Sequence, residues 1–74
     1  MLNKVIEILA EKLDKDASEI TAESSIKEDL GADSLDMVEI GMAIEDAFDI
    51  EVGDSDVNKF NTVQDIITFV EQRK

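Results

Sequence analysis

Neither cysteine nor histidine occurs in this chain of 74 residues, and together the two absences remove most enzymatic chemistry. Without cysteine there is no disulfide, no thiolate metal site and no thiol nucleophile, and nothing points to an oxidising compartment. Without histidine there is no Ser-His-Asp triad, no imidazole base and no ordinary zinc site. The chain is therefore expected not to be an enzyme; if it takes part in catalysis, it does so as a substrate of partner enzymes. Basic residues are scarce as well, 7 against 19 acidic ones, for a net charge of −12. Nucleic acid and anionic membrane surfaces are not expected as ligands, because the attraction that dominates binding to phosphates would have the wrong sign. Partners should carry basic patches. Long apolar runs are missing too. Met1-Leu2-Asn3-Lys4 leads straight into an amphipathic pattern, without the apolar stretch of a secretory signal, and no run approaches membrane-spanning length. A free-standing soluble protein of the cytoplasm, without membrane insertion, fits these absences best, and a monomer is expected.

What is present suffices for a fold. A hydrophobic content of 43% is too high for a disordered acidic tail, so the charge must coat a folded domain. One domain, residues 1–74, is expected, of a size at which a core alone gives modest stability.

Leu2, Val5, Ile6, Leu9 and Leu13 recur at helical spacing with Ala10 beside them, opposite Asn3, Lys4, Glu7, Glu11, Lys12 and Asp14. This predicts a first helix with one buried stripe. From Lys15 to Asp33 the pattern breaks, leaving Ile20, Ile26 and Leu30 as isolated apolar anchors; so long a loop suits an ordered crossing along a bundle. Within it, Asp16 to Ile20 reads as a turn that pins Ile20, and Lys27 to Leu30 as a single turn stopped at Gly31. A second helix is predicted from Ser34 to Phe48, with Met37, Ile40, Ile44, Ala47 and Phe48 facing the core. Asp49 to Gly53 leads out of it with Ile50 and Val52 turned inward. Asp54 is predicted to cap a very short helix that brings Val57 and Phe60 to the core. Thr62, with Asp65 three residues on, caps the last helix, whose buried stripe is Val63, Ile66, Ile67 and Val70 with Phe69 at the edge; Arg73 and Lys74 suit its C-terminal end. No strand-period segment is found. The consistent solution is an all-α four-helix bundle, three longer helices and one short, with a long loop between the first two.

The chemistry concentrates in Gly31-Ala32-Asp33-Ser34-Leu35-Asp36-Met37-Val38-Glu39. Asp33 reads as an N-cap and Asp36 as part of an acidic first turn, which puts Ser34 at about the first helical position. The unpaired N–H groups of that turn and the positive end of the helix dipole would favour a phosphate attached to its hydroxyl. The plainer reading makes Ser34 a second capping residue. Leu35, Val38 and Met42 form a second apolar strip on this helix, bordered by Asp36, Glu39, Glu45 and Asp46, which suits either a docking surface or packing under the long loop. No Lys or Arg lies between Lys27 and Lys59, whereas 11 of the 19 acidic residues do. A field of that sign would steer basic patches toward Ser34, with strong salt dependence; simple solubility is the alternative.

The nine residues around Ser34, followed by Ile40, Met42, Ala43, Ile44, Glu45, Phe48, Asp49, Ile50 and Glu51, closely resemble the acyl carrier proteins, and the resemblance extends over essentially the whole chain. It implies a 4'-phosphopantetheine arm on Ser34, transferred from coenzyme A by a phosphopantetheinyl transferase, with Asp33, Leu35 and Asp36 as the flanking motif. It also implies docking of fatty-acid synthesis enzymes on Leu35, Val38, Glu39, Met42 and Glu45, and acyl groups held as thioesters. Carriers of polyketide, peptidyl or D-alanyl groups share this logic. Two departures stand out: most of the family has a larger aliphatic residue where Gly41 stands, and often proline at the place of Gly53. Gly41 inside a helix costs about 1 kcal/mol relative to alanine, which implies either close packing against another element or room for an acyl chain.

Two readings from other classes remain. An unmodified acidic helical adaptor would use the same charge field but leave Ser34 replaceable. A weak calcium-binding module is suggested by Asp54, Asp56 and Asn58 at alternate positions, although Lys59, Asn61 and Asp65 break the EF-hand pattern. No specific metal site is expected. Weak cation binding is expected at Glu28, Asp33 and Asp36, and at Glu45, Asp49 and Glu51, through relief of repulsion.

Overall fold

The computed structural model describes residues 2–73, so the placement expected for Lys74 lies outside the described residues. Helix α1 spans Leu2–Leu13, α2 Ser34–Phe48, α3 Asp54–Val57 and α4 Val63–Arg73. A single 3-10 turn, Ala17–Glu19, follows α1, and among the described residues the only β-type pairing is an isolated bridge between Ser25 and Thr62. The chain is thus the expected four-helix bundle.

Its core is drawn from all four helices. Val5 and Leu9 of α1, Met37, Ile40 and Ile44 of α2, Val57 and Phe60 from α3 and its exit, and Val63, Ile66, Ile67 and Val70 of α4 are all buried. Burial of this kind contributes about 1.5–3 kcal/mol for each large aliphatic side chain. Ile20, Ile26 and Leu30 are buried as anchors of the crossing, joined by Ala32. Two positions depart from the helical pattern. Leu2, the first residue of α1, is 39% exposed. Ala47, expected in the core stripe, is exposed on α2, while Phe48 is partly buried against the core. Ala47 lies one turn beyond Ile44 and, as a short side chain, does not reach the layer that the phenylalanine beside it fills.

The long crossing is ordered by α4. Val63 N–H donates to the Ser24 carbonyl at 3.2 Å, Gln64 N–H to the Ala22 carbonyl at 2.9 Å, and Ile26 N–H to the Asn61 carbonyl at 2.9 Å. The loop therefore accepts from the first-turn donors of α4 that no helical carbonyl can reach. Thr62 and Asp65 complete that cap reciprocally: Asp65 N–H donates to Thr62 Oγ1 and Thr62 N–H to Asp65 Oδ2. Ser24, the buried polar residue of the crossing, bonds through Oγ to the N–H of Thr21. Both long N-terminal helices end on an aspartate in the left-handed region, Asp14 after α1 and Asp49 after α2, each at φ 55°. Asp54 is the first residue of α3 rather than its cap. The capping position is Gly53, whose N–H donates to Asp56 Oδ2 at 3.1 Å.

Candidate functional site

Ser34 opens α2, as the spacing predicts, and its capping role falls to its neighbours. Asp36 N–H donates to Asp33 Oδ1 at 2.8 Å, and Asp33 N–H to Asp36 Oδ2 at 3.2 Å, a reciprocal box across the serine. Met37 N–H reaches the Asp33 carbonyl. The N–H groups of Ser34 and Leu35 have no backbone acceptor among the described residues. The contrast with α4 is informative, since there the same two positions are met by carbonyls of the crossing loop. At the head of α2 an exposed primary alcohol and two open donors are left at the positive end of a helix of 15 residues. That donor set fits a phosphate ester on the hydroxyl.

The approach to this point is fixed from the other side. Ile26 and Leu30 are buried, the turn between them closes through the N–H of Asp29 and of Leu30 onto the Ser25 carbonyl, and Ala32 N–H returns to the Ile26 carbonyl. Gly31 takes φ 71°, a conformation that favours glycine, and so redirects the chain into the cap. Beside Ser34 lies a cleft of about 220 Å³ lined by Lys27, Ser34, Met37, Val38, Asp54, Val57 and Asn58. Its floor is apolar and its rim polar. The α3 wall and Lys27 are components that the sequence pattern did not bring to the serine. The α3 residues lie some way along the chain, and Lys27, though seven residues before Ser34, is brought to it by the turn that ends at Gly31.

Gly41 sits at the foot of that wall. A Cβ there would meet Val57 Cγ2 at 2.8 Å, closer than packed carbons allow, with Val52 Cγ1 at 3.6 Å. The missing side chain is thus occupied by α3 and the turn before it, which is the close-packing explanation, not vacant space for cargo.

On the outer face of α2, Leu35, Val38 and Met42 are 68%, 47% and 59% exposed. The crossing loop does not cover them, so the packing alternative for this strip is removed. Glu39 is exposed beside them. Glu45 differs: it is partly buried and accepts from Val52 N–H at 2.9 Å, so it fastens the α2–α3 turn. Among the described residues no group of three acidic side chains converges to hold a metal ion. Asp54 and Asp56 lie within α3 and Asn58 caps it, while Asp56 is engaged by Gly53 N–H and by Arg73 at 3.7 Å. The loop that an EF-hand requires is therefore helical here. Arg73 also stacks 4.7 Å above the Phe69 ring, which meets Phe60 edge-on at 5.3 Å.

Residues 3–70 match the family described as "Phosphopantetheine attachment site". The chain is 52% identical over 73 residues to the acyl carrier protein of an Exiguobacterium species, covering 99% of this chain and 92% of that one. Its fold is similar to the crystal structure of the acyl carrier protein from Thermotoga maritima, with TM-score 0.79 and 36% identity over 95% of this chain and 81% of the other. It is also similar to the solution structure of the apo doublet acyl carrier protein from prodigiosin biosynthesis, with TM-score 0.85 and 26% identity over 99% of this chain and 36% of that longer one. With the exposed serine on an open helix head and a family match over most of its length, this chain belongs to the phosphopantetheine-attachment family and, within it, to the acyl carrier proteins.

Proposed function

We propose that the chain carries acyl intermediates of fatty-acid synthesis as thioesters on 4'-phosphopantetheine joined to Ser34, and presents them to successive enzymes. The observation that carries this reading is the head of α2: Ser34 is exposed and relieved of capping by Asp33 and Asp36, with the N–H groups of Ser34 and Leu35 open beside it. The group supplies a terminal thiol, which the chain itself lacks. Ser34 is the nucleophile of the loading step. Its oxygen attacks the phosphorus of coenzyme A that bears pantetheine, the pyrophosphate P–O bond breaks, and the adenosine phosphate portion leaves. With neither histidine nor cysteine in the sequence, the serine proton passes to a base of the transferase.

Leu35, Val38 and Met42 supply an apolar strip beside the attachment point, and Glu39 and Asp36 its acidic rim. A basic patch on a transferase or synthase would meet both, and such complementarity acts mainly on encounter rate and orientation. Glu45 is partly buried and already holds Val52 N–H through Oε2, so its weight in binding is the smaller. No helix among the described residues is long and apolar enough to cross a membrane; a cytoplasmic, monomeric, single-domain carrier of residues 1–74 accords with this and with the charge.

Incubation with coenzyme A and a phosphopantetheinyl transferase, read by intact mass, tests the assignment. Wild type is expected to gain one phosphopantetheinyl group, and Ser34→Ala none. Because the hydroxyl does no capping, Ser34→Ala should unfold within about 0.5 kcal/mol of wild type. A variant still modified would exclude Ser34. The thioesters present on protein recovered from its own cells identify the cargo, and polyketide, aminoacyl or D-alanyl groups there would replace the fatty-acid assignment.

A further inference from the structure

We propose that Lys27 is a positioning residue for the phosphodiester on Ser34, holding the root of the arm against the cleft between the Lys27 turn and α3. The inference rests on the assignment of Ser34 made above and extends it to a residue outside the attachment motif. Lys27 and Ser34 line the same cleft, and Lys27 is the sole cation among its lining residues, opposite Asp54. No Lys or Arg lies between Lys27 and Lys59, so none follows in the attachment motif, α2 or the head of α3. Esterification would add a negative charge at a point already flanked by Asp33 and Asp36, so one nearby cation has a disproportionate effect there.

Lys27 is also free to act. Among the described residues one ion pair forms, between Arg73 and Asp56. Lys27 makes none, although Glu28 and Asp29 follow it directly, and the Asp29 carboxylate instead accepts from Ser25 N–H at 2.7 Å. Its backbone is held on both sides by the buried Ile26 and Leu30. The ammonium therefore extends from a fixed turn, which lowers the entropy lost when it settles on an anion. An ammonium acts on a phosphate as a point charge, so arginine should substitute for it.

The test compares apo and modified forms of wild type, Lys27→Gln, Lys27→Arg and, as a control of equal charge change, Lys15→Gln in the exposed segment that follows α1. Intact mass first establishes modification, and thermal unfolding and the ³¹P resonance of the phosphodiester are then measured at low and at 0.5 M salt. For Lys27→Gln the modified form should lose about 2–4 °C relative to its own apo form at low salt. That loss should vanish at high salt, and the ³¹P resonance should move. Lys27→Arg should restore both signals, and Lys15→Gln should shift apo and modified forms equally. Equal apo-to-modified differences in all four proteins, or the same loss in Lys15→Gln, would overturn the proposal. A wild type that gains no mass would instead overturn the assignment of Ser34 and this proposal with it.

Discussion

Gly41 and Val57 form a pair in which one residue is small because the other has moved in. Adding a methyl at Gly41 gains helix propensity of about 1 kcal/mol, but it forces Val57 Cγ2 away from a 2.8 Å approach, and such overpacking costs about 1–3 kcal/mol. Gly41→Ala is therefore expected to destabilise by about 1 kcal/mol in chemical denaturation. Gly41→Ala with Val57→Ala should be more stable than the sum of the single changes, because the second removes the clash made by the first; strict additivity would contradict the contact. Glu45 presents a second case. Its carboxylate accepts from Val52 N–H in a partly buried position, and leaving that donor unmet costs about 1–3 kcal/mol. Glu45→Ala should lower stability by about 1 kcal/mol and speed amide exchange at Val52, a change that exposed Glu39→Ala should not produce. The serine and its caps were legible from local spacing because capping is written within four residues. Close packing was one of two readings open for Gly41, but its partner Val57 was not legible, nor were the roles of Glu45 and Lys27, since each depends on a neighbour that only the folded chain brings near.

Among elements, the long crossing is the one whose order comes from elsewhere. Its anchors Ile20, Ile26 and Leu30 could be read as isolated apolar residues, but its backbone pairing to Asn61, Val63 and Gln64 carries no sequence signature. The end of α2 at Phe48 could be read from the pattern, but the conformation that stops α1 and α2 could not. A glycine normally marks a left-handed stop, whereas Asp14 and Asp49 adopt it here, as short polar side chains can. The 3-10 turn has a clearer signal in Asp16, whose carboxylate accepts from Ser18 N–H at 3.1 Å and Ser18 Oγ at 3.0 Å. The backbone bond, and then the hydroxyl bond, hold its carboxyl below the usual carboxylate range. A lowered folded value means that the stabilisation is complete above the unfolded aspartate range, about pH 4, and is lost as pH falls through the folded value. The difference in melting temperature between wild type and Asp16→Ala should be widest above about pH 5 and narrow below about pH 4. A difference that widened toward acid would contradict this sign.

At the scale of the whole molecule, a net charge of −12 is spread over a body of 27 × 23 × 18 Å. A Debye length of about 8 Å in physiological salt makes the field at Ser34 that of its own surroundings more than of the entire surface. Self-repulsion still opposes compaction. Millimolar Mg²⁺ or Ca²⁺ should therefore raise the melting temperature. With no converging acidic triad among the described residues, the two ions should act alike; a flat titration, or a response to Ca²⁺ alone, would argue against diffuse neutralisation. The sutures between the crossing and Asn61, Val63 and Gln64 also set an order of events in biosynthesis. Until residues 61–64 have emerged from the ribosome and docked, the serine stands on a segment without its brace, so loading should await synthesis of α4, and translation products truncated before Asn61 should emerge unprimed.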